Sequence, residues 1–132
     1  MNEINRSDQQ WREQLTEEEF RITRLKGTEP PFSGAYNNLK DAGEYRCVCC
    51  GQVMFCSDTK YDSGSGWPSF HAPATADSVR IEQDLSLGMR REEVQCSRCG
   101  AHMGHVFPDG PEPTGLRYCI NSAALRFEPT EA

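Results

Sequence analysis

The chain has 132 residues, with 20 acidic against 14 basic side chains and a formal net charge of −6. That length suits a single domain, residues 1–132 with an ordered core over about 8–128, and the acidic balance repels phosphate backbones and so argues against nucleic acid as a partner. No apolar run reaches the roughly 18 residues needed to cross a bilayer. The polar stretch Met1 to Gln10 has no signal-peptide character, so a cytoplasmic chain without a membrane role is expected.

With 36% hydrophobic residues, 11 glycines and 8 prolines, turns and short strands should outweigh helix. Residues 1–7 are expected to be disordered. Ser7 and Gln10 are spaced as a capping box for a short helix through Trp11 and Leu15. Thr16 and Glu19 repeat that spacing and open a second helix through Leu25, with Lys26 and Gly27 as its end. Pro30 and Pro31 then forbid helix, and residues 28–44 read as an extended segment crossing the body of the domain. From Tyr45 onward the pattern is β. Tyr45–Val48 and Val53–Phe55 flank a Cys-x-x-Cys-Gly knuckle, and residues 57–69 form a loop rich in Ser, Asp, Gly and Pro. Ser78–Gln83 and Met89–Gln95 read as strands turning near Leu87 and Gly88. A second knuckle follows at Cys96 to Gly100, then a strand over Gly104–Phe107 and a Pro/Gly loop over Pro108–Gly115. Tyr118–Ile120 and Ala124–Phe127 are the last strands, and Glu128 to Ala132 reads as a frayed tail.

Seven cysteines in a reducing compartment argue for metal binding and thiol chemistry over a disulfide framework. Cys47 and Cys50, then Cys96 and Cys99, make two Cys-x-x-Cys pairs, each followed by glycine. Together they can complete a tetrahedral four-thiolate shell, a structural zinc site with no open position for water or substrate. Cys49 lies between the first two ligands and could compete for the ion, but the spacing favours its neighbours.

Cys119 is left over. Arg117 is expected to lower its thiol pKa, and the thiolate is the nucleophile. Asn121 should share its strand face and hold a polar group. His102 and His105 offer proton donors with near-neutral pKa values. Trp67, in the Gly/Ser loop Tyr61–Phe70, is either a core anchor or an aromatic wall for an apolar group such as an S-methyl. Two other readings stay open on these residues alone: a zinc-knuckle module that binds a protein partner, and a zinc hydrolase or deaminase with His102 and His105 as ligands.

Three motifs, Lys60-Tyr61-Asp62-Ser63-Gly64-x-Gly66-Trp67-Pro68-Ser69-Phe70, Ala101-His102-Met103-Gly104-His105-Val106-Phe107-Pro108-Asp109-Gly110 and Arg117-Tyr118-Cys119-Ile120-Asn121-Ser122, closely resemble the B-type methionine sulfoxide reductases. The likeness runs from about Trp11 to Phe127. It implies a mainly β, tent-like fold of two antiparallel sheets with short N-terminal helices and a structural zinc on the four cysteines. It implies reduction of the R epimer of methionine sulfoxide, free or in oxidised proteins, by a cytoplasmic enzyme that needs no organic cofactor. By the same resemblance Cys119 attacks the sulfoxide sulfur and His105 protonates the departing oxygen. His102 and Asn121 help hold substrate and water, Trp67 packs on the methyl with Phe107 on the substrate side, and Arg117 supports the thiolate. A sulfenic acid on Cys119 results, and a thioredoxin-like thiol system reduces it. Where many relatives carry a resolving cysteine this chain has Ser65, and where some carry a recycling cysteine it has Ser33. Cys56, at the start of the 57–69 loop, is the remaining candidate resolver.

Overall fold

The computed structural model describes residues 7–85, 88 and 90–130. The expected disorder before Ser7, the turn at Leu87, the strand start at Met89 and the last two tail residues fall outside them.

Both capping boxes close. Ser7 Oγ accepts from Gln10 N at 3.2 Å while Gln10 Oε1 accepts from Ser7 N at 2.8 Å, opening helix α1, Asp8–Gln14. Thr16 and Glu19 exchange the same pair of bonds at 3.1 and 2.9 Å and open α2, Glu17–Thr23. Each such cap contributes about 1 kcal/mol. The second helix stops at Thr23, short of the expected Leu25. The Leu25 N–H reaches back to the Phe20 carbonyl, Gly27 N–H bonds the Arg21 carbonyl, and Lys26 takes a left-handed φ of 59°. That turn carries the Lys26 ammonium to Glu93, at 3.3 Å.

Among the described residues, nine strands form two antiparallel sheets. They are β1 Gly43–Cys47, β2 Val53–Cys56, β3 Lys60–Tyr61, β4 Ser69–Phe70, β5 Val79–Asp84, β6 Arg91–Cys96, β7 His102–Phe107, β8 Arg117–Ile120 and β9 Leu125–Pro129. The smaller sheet runs β2-β1-β9 and the larger β3-β4-β8-β7-β6-β5. The fold class expected from the sequence therefore holds, with two differences in detail. The supposed loop 57–69 ends in a strand, because Ser69 and Phe70 pair on both sides, with Tyr61 and Lys60 and with Cys119 and Tyr118. The supposed tail is strand as far as Pro129, paired with Gly43, and Thr130 N–H still bonds Ala42.

Between the sheets lies an aromatic core. Tyr45, Phe55 and Phe70 are fully buried, with Phe55 stacked on Phe70 at 4.5 Å and Tyr45 edge-on to Phe70 at 5.1 Å. Such ring pairs add about 0.5–1.5 kcal/mol beyond their area. The helices contribute Trp11, Phe20 and Ile22 to the same core.

Candidate active site and metal centre

The two knuckles have the same build. In each, the first cysteine's N–H bonds a carbonyl five residues on (Cys47 to Gln52, Cys96 to Ala101), and its carbonyl accepts from the closing glycine, Gly51 or Gly100. Those glycines take φ of 83° and 77°, in the left-handed region where a side chain is strained. Cys47 ends β1 in the small sheet and Cys96 ends β6 in the large one, so the knuckles meet across the sheet junction. Cys47 Sγ lies 3.6 Å from Cys99 Sγ and Cys50 Sγ 3.6 Å from Cys96 Sγ, and all four sulfurs fall within 4.8 Å of one another. Four thiolates at 2.3 Å from a tetrahedral ion stand about 3.8 Å apart. The residues fit a closed four-sulfur metal site. Cys49 is not part of it: buried under α2, its thiol donates to Thr23 Oγ1 at 3.4 Å.

The second group of chemical residues lies on one face of the large sheet. Ser69, Cys119, His105 and Glu93 are successive register partners across β4, β8, β7 and β6, and Phe107 faces Arg117 in the next row. Alternation of side chains puts each of these rows on a single face. The close approach of β7 to β8 needs Gly104, since a Cβ there would fall 2.0 Å from the Cys119 carbonyl oxygen. A cavity of about 340 Å³ opens on this face, lined by Ser65, Trp67, Arg91, His105, Phe107, Arg117, Cys119 and Asn121, with Thr28 and Gly104. It brings together six of the residues singled out in the sequence: Cys119, His105, Asn121, Trp67, Phe107 and Arg117.

His105 Nε2 is hydrogen-bonded to Asp84 Oδ2 at 2.8 Å, and Arg91 holds the same carboxylate oxygen at 3.4 Å. Asp84 and Arg91 escaped the sequence reading. Their only signal was their position at the facing ends of two strands. His102 does not line the cavity. It is buried with Nδ1 2.7 Å from Glu93 Oε2, and its ring stands edge-on to that of His105 at 5.5 Å. Burial holds His102 below the ordinary imidazole pKa against the raising pull of Glu93. Burial pushes Glu93 up, but the bonds from His102, Gln95 and Lys26 leave it below the usual carboxylate range. The pair is neutral imidazole against carboxylate, so Nδ1 donates.

Asn121 is buried and spends its amide on the backbone. Oδ1 accepts from Glu29 N at 3.0 Å and Nδ2 donates to the Met103 carbonyl at 3.1 Å. Glu29, also buried, then orients Trp67, whose indole N–H donates to the Glu29 carbonyl at 2.9 Å. The segment after α2 thus fixes the aromatic wall of the cavity, a role invisible in its sequence. Arg117 forks onto Asp109 at 2.9 and 3.2 Å and lies 4.5 Å over the Phe107 ring.

Burial pushes the Cys119 thiol above the ordinary thiol pKa, and the opposing pulls of Ser65, Arg117 and Ser69 do not fully offset that. Arg117 does pull the thiol down as expected, but the net shift is upward. Charge is desolvated faster than a half-engaged guanidinium can stabilise it. Cys56 closes β2 in the other sheet, opposite Glu44, and does not line the cavity. None of the seven cysteines is joined in a disulfide.

A thiol in a cavity with an imidazole and an indole, set apart from four cysteines that fit a closed metal site, is an arrangement suited to thiol-based redox chemistry. The family described as the SelR domain matches residues 15–129. Proteins named peptide methionine sulfoxide reductase MsrB are close relatives. That of Pseudomonas aeruginosa strain UCBPP-PA14 is 59% identical over 132 residues, covering all of both chains. That of Hahella chejuensis is 58% identical over 96% of this chain and 91% of its own, and that of Leptospira interrogans 57% identical over 96% of each. The chain belongs to this family, the B-type peptide methionine sulfoxide reductases, and is an oxidoreductase. A crystal structure of the Mis18 "Yippee-like" domain shares the fold alone, with a TM-score of 0.55 at 19% identity over 69% of this chain and 99% of that one.

Proposed function

We propose that the protein reduces the R epimer of methionine sulfoxide, free or in oxidised proteins, and that Cys119 is its nucleophile. The observation that carries this is the placement of the Cys119 sulfur in a cavity it shares with His105, Trp67 and Phe107. In the net step a Cys119 thiol and a sulfoxide become a sulfenic acid and a thioether. The sulfoxide oxygen moves to Cys119, and two electrons pass from the cysteine sulfur to the substrate sulfur. A sulfoxide oxygen leaves only as it is protonated. His105, held by Asp84, is the group on the cavity wall able to deliver that proton. The indole of Trp67, pinned by Glu29, supplies an apolar face for the methyl beside the sulfoxide. His102 acts behind the cavity wall and holds the sheet, Asn121 braces the Glu29 segment from the wall itself, and Arg117 supports the thiolate.

The sulfenic acid is returned to thiol by an external dithiol of the thioredoxin kind, which becomes a disulfide as water leaves. Ser65 stands where a resolving thiol would have to be, and Cys56 would need its Cα within about 7 Å of that of Cys119 to serve instead. The ion on Cys47, Cys50, Cys96 and Cys99 is read as zinc, because thiolates alone in tetrahedral array suit that metal. It would tie the two sheets together, and its closed shell supplies no reaction step. No helix among the described residues is long and apolar enough to cross a membrane. A cytoplasmic setting, with residues 1–132 as one domain, suits a chain rich in reduced thiols.

Turnover of separated R and S sulfoxides with a dithiol reductant tests the reading. The parent is expected to consume the R epimer only, and Cys119→Ser to abolish turnover with metal content and melting unchanged. Substantial activity in that variant places the nucleophile elsewhere. A thiol map by mass spectrometry after one equivalent of R-sulfoxide, without reductant, should show a lone oxidised Cys119; a Cys56–Cys119 bridge would replace the direct recycling route.

A further inference from the structure

Three serine hydroxyls crowd the protein side of Cys119, and the reaction above assigns them no part. Ser69 is the β4 register partner of Cys119 and is fully buried. Ser63 Oγ lies 2.7 Å from Ser69 Oγ and 2.8 Å from Ser65 Oγ, and Ser65 Oγ stands 3.6 Å from Cys119 Sγ. The surrounding backbone restricts where each proton can point. Ser69 has two acceptors for its proton, Ser63 Oγ at 2.7 Å and, longer, the Trp67 carbonyl at 3.1 Å. The Ser65 N–H bonds Ser63 Oγ at 3.3 Å, and the Trp67 N–H bonds Ser65 Oγ at 3.4 Å. With Ser69 giving its proton to Ser63, the shorter of its two contacts, Ser63 gives its own to Ser65. Ser65, its oxygen already accepting from Trp67, then has its own O–H left over. The Trp67 carbonyl and Ser69 Oγ, each 3.5 Å from Ser65 Oγ, lie at the outer limit for an oxygen acceptor. At 3.6 Å the Cys119 sulfur is within ordinary bonding reach of that O–H, because sulfur is the larger acceptor atom.

We propose that Ser65 is a further catalytic residue, donating its hydroxyl proton in a hydrogen bond to the Cys119 thiolate, with Ser63 and Ser69 as positioning residues that keep it aimed there. This rests on the reading of Cys119 as nucleophile. The site needs such a donor. Burial disfavours the charged sulfur, and the Arg117 guanidinium is shared with an exposed carboxylate. A hydroxyl held by its neighbours supplies stabilisation to a buried anion without importing water. The Ser65 O–H bond stays intact; the Cys119 S–H bond is the one that breaks, its proton leaving to solvent or to His105.

The pH dependence of Cys119 alkylation by iodoacetamide tests the contact, read at that residue by mass spectrometry on the metal-loaded full chain. Ser65→Ala should raise the midpoint by about one pH unit and slow labelling at pH 7 about tenfold, the cost of losing one bond to a charged sulfur. Ser65→Thr keeps the hydroxyl and should restore the parental midpoint. Ser63→Ala leaves Ser65 in place but frees its orientation, and should shift the midpoint the same way by less. A parental midpoint in a folded Ser65→Ala protein overturns the proposal. Alkylation consumes no sulfoxide, so that result would leave the reductase reading standing. A parent that labels as expected but does not turn over R-sulfoxide would sink the reductase reading and spare the hydroxyl contact.

Discussion

Asn121→Ala separates two roles for a residue that lines the cavity. The amide makes two bonds, to Glu29 N and to the Met103 carbonyl. The losses are unequal. Met103 keeps a partner, because its carbonyl also accepts from the Asn121 N–H at 2.9 Å. The Glu29 N–H, on a buried residue, loses its acceptor. An orphaned buried donor costs about 1–3 kcal/mol and the second lost bond about 1, so destabilisation of roughly 2–4 kcal/mol is expected. At about 4 °C per kcal/mol for a domain of this size, the melting temperature should fall by roughly 8–16 °C. Glu29 also holds the Trp67 indole, so activity should drop with it, chiefly through weaker binding of the sulfoxide side chain. Scanning calorimetry, with R-sulfoxide kinetics on the same preparation, measures both. Asn121→Asp, which keeps an acceptor for Glu29 N but turns a buried carboxylate toward the Met103 carbonyl, should be no better than the alanine variant. If Asn121→Ala melts with the parent and loses only turnover, the amide acts on substrate and the backbone-bracing account is wrong.

Three further outcomes follow from other parts of the molecule. Stripping the metal with a chelator, or Cys96→Ser, should lower the melting temperature by more than 10 °C, since closing such a site supplies several kcal/mol of folding energy; an unchanged melt with unchanged metal content would refute the four-sulfur assignment. Because His102 titrates below its unfolded value, the unfolded chain binds its proton first as pH falls. The folded state should therefore lose stability from about pH 6.5 downward, with the lowered Glu93 adding to the loss through the carboxylate range. In melts from pH 7 to 5, His102→Gln should flatten the first part of that decline, and a slope identical to the parent's would show the imidazole is not responsible. Asp84→Asn swaps the charge facing His105 Nε2 for an amide and should reduce kcat/KM about ten- to a hundredfold with little change in melting; full activity would remove Asp84 from the proton path.

Local chemistry was written plainly in the chain. A capping box needs only residues three apart, so both helix starts were legible from Ser7/Gln10 and Thr16/Glu19. A knuckle is a turn of a few residues closed by glycine, so the four-sulfur cluster was legible too. What escaped depended on partners far away in sequence. Ser69–Phe70 is too short to show alternation, and is a strand only because β3 and β8 flank it. The bond between Asn121 and Glu29 spans 92 positions. The direction of the Cys119 shift could not be read from Arg117 beside it. It follows from how much of the sulfur the sheet and the serine loop bury, and desolvation is a property of packed surroundings that adjacency in the chain does not encode. The sequence by itself therefore determined which atoms could do chemistry. Tertiary packing decided which of them share a cavity, which merely brace it, and what protonation state the central sulfur rests in.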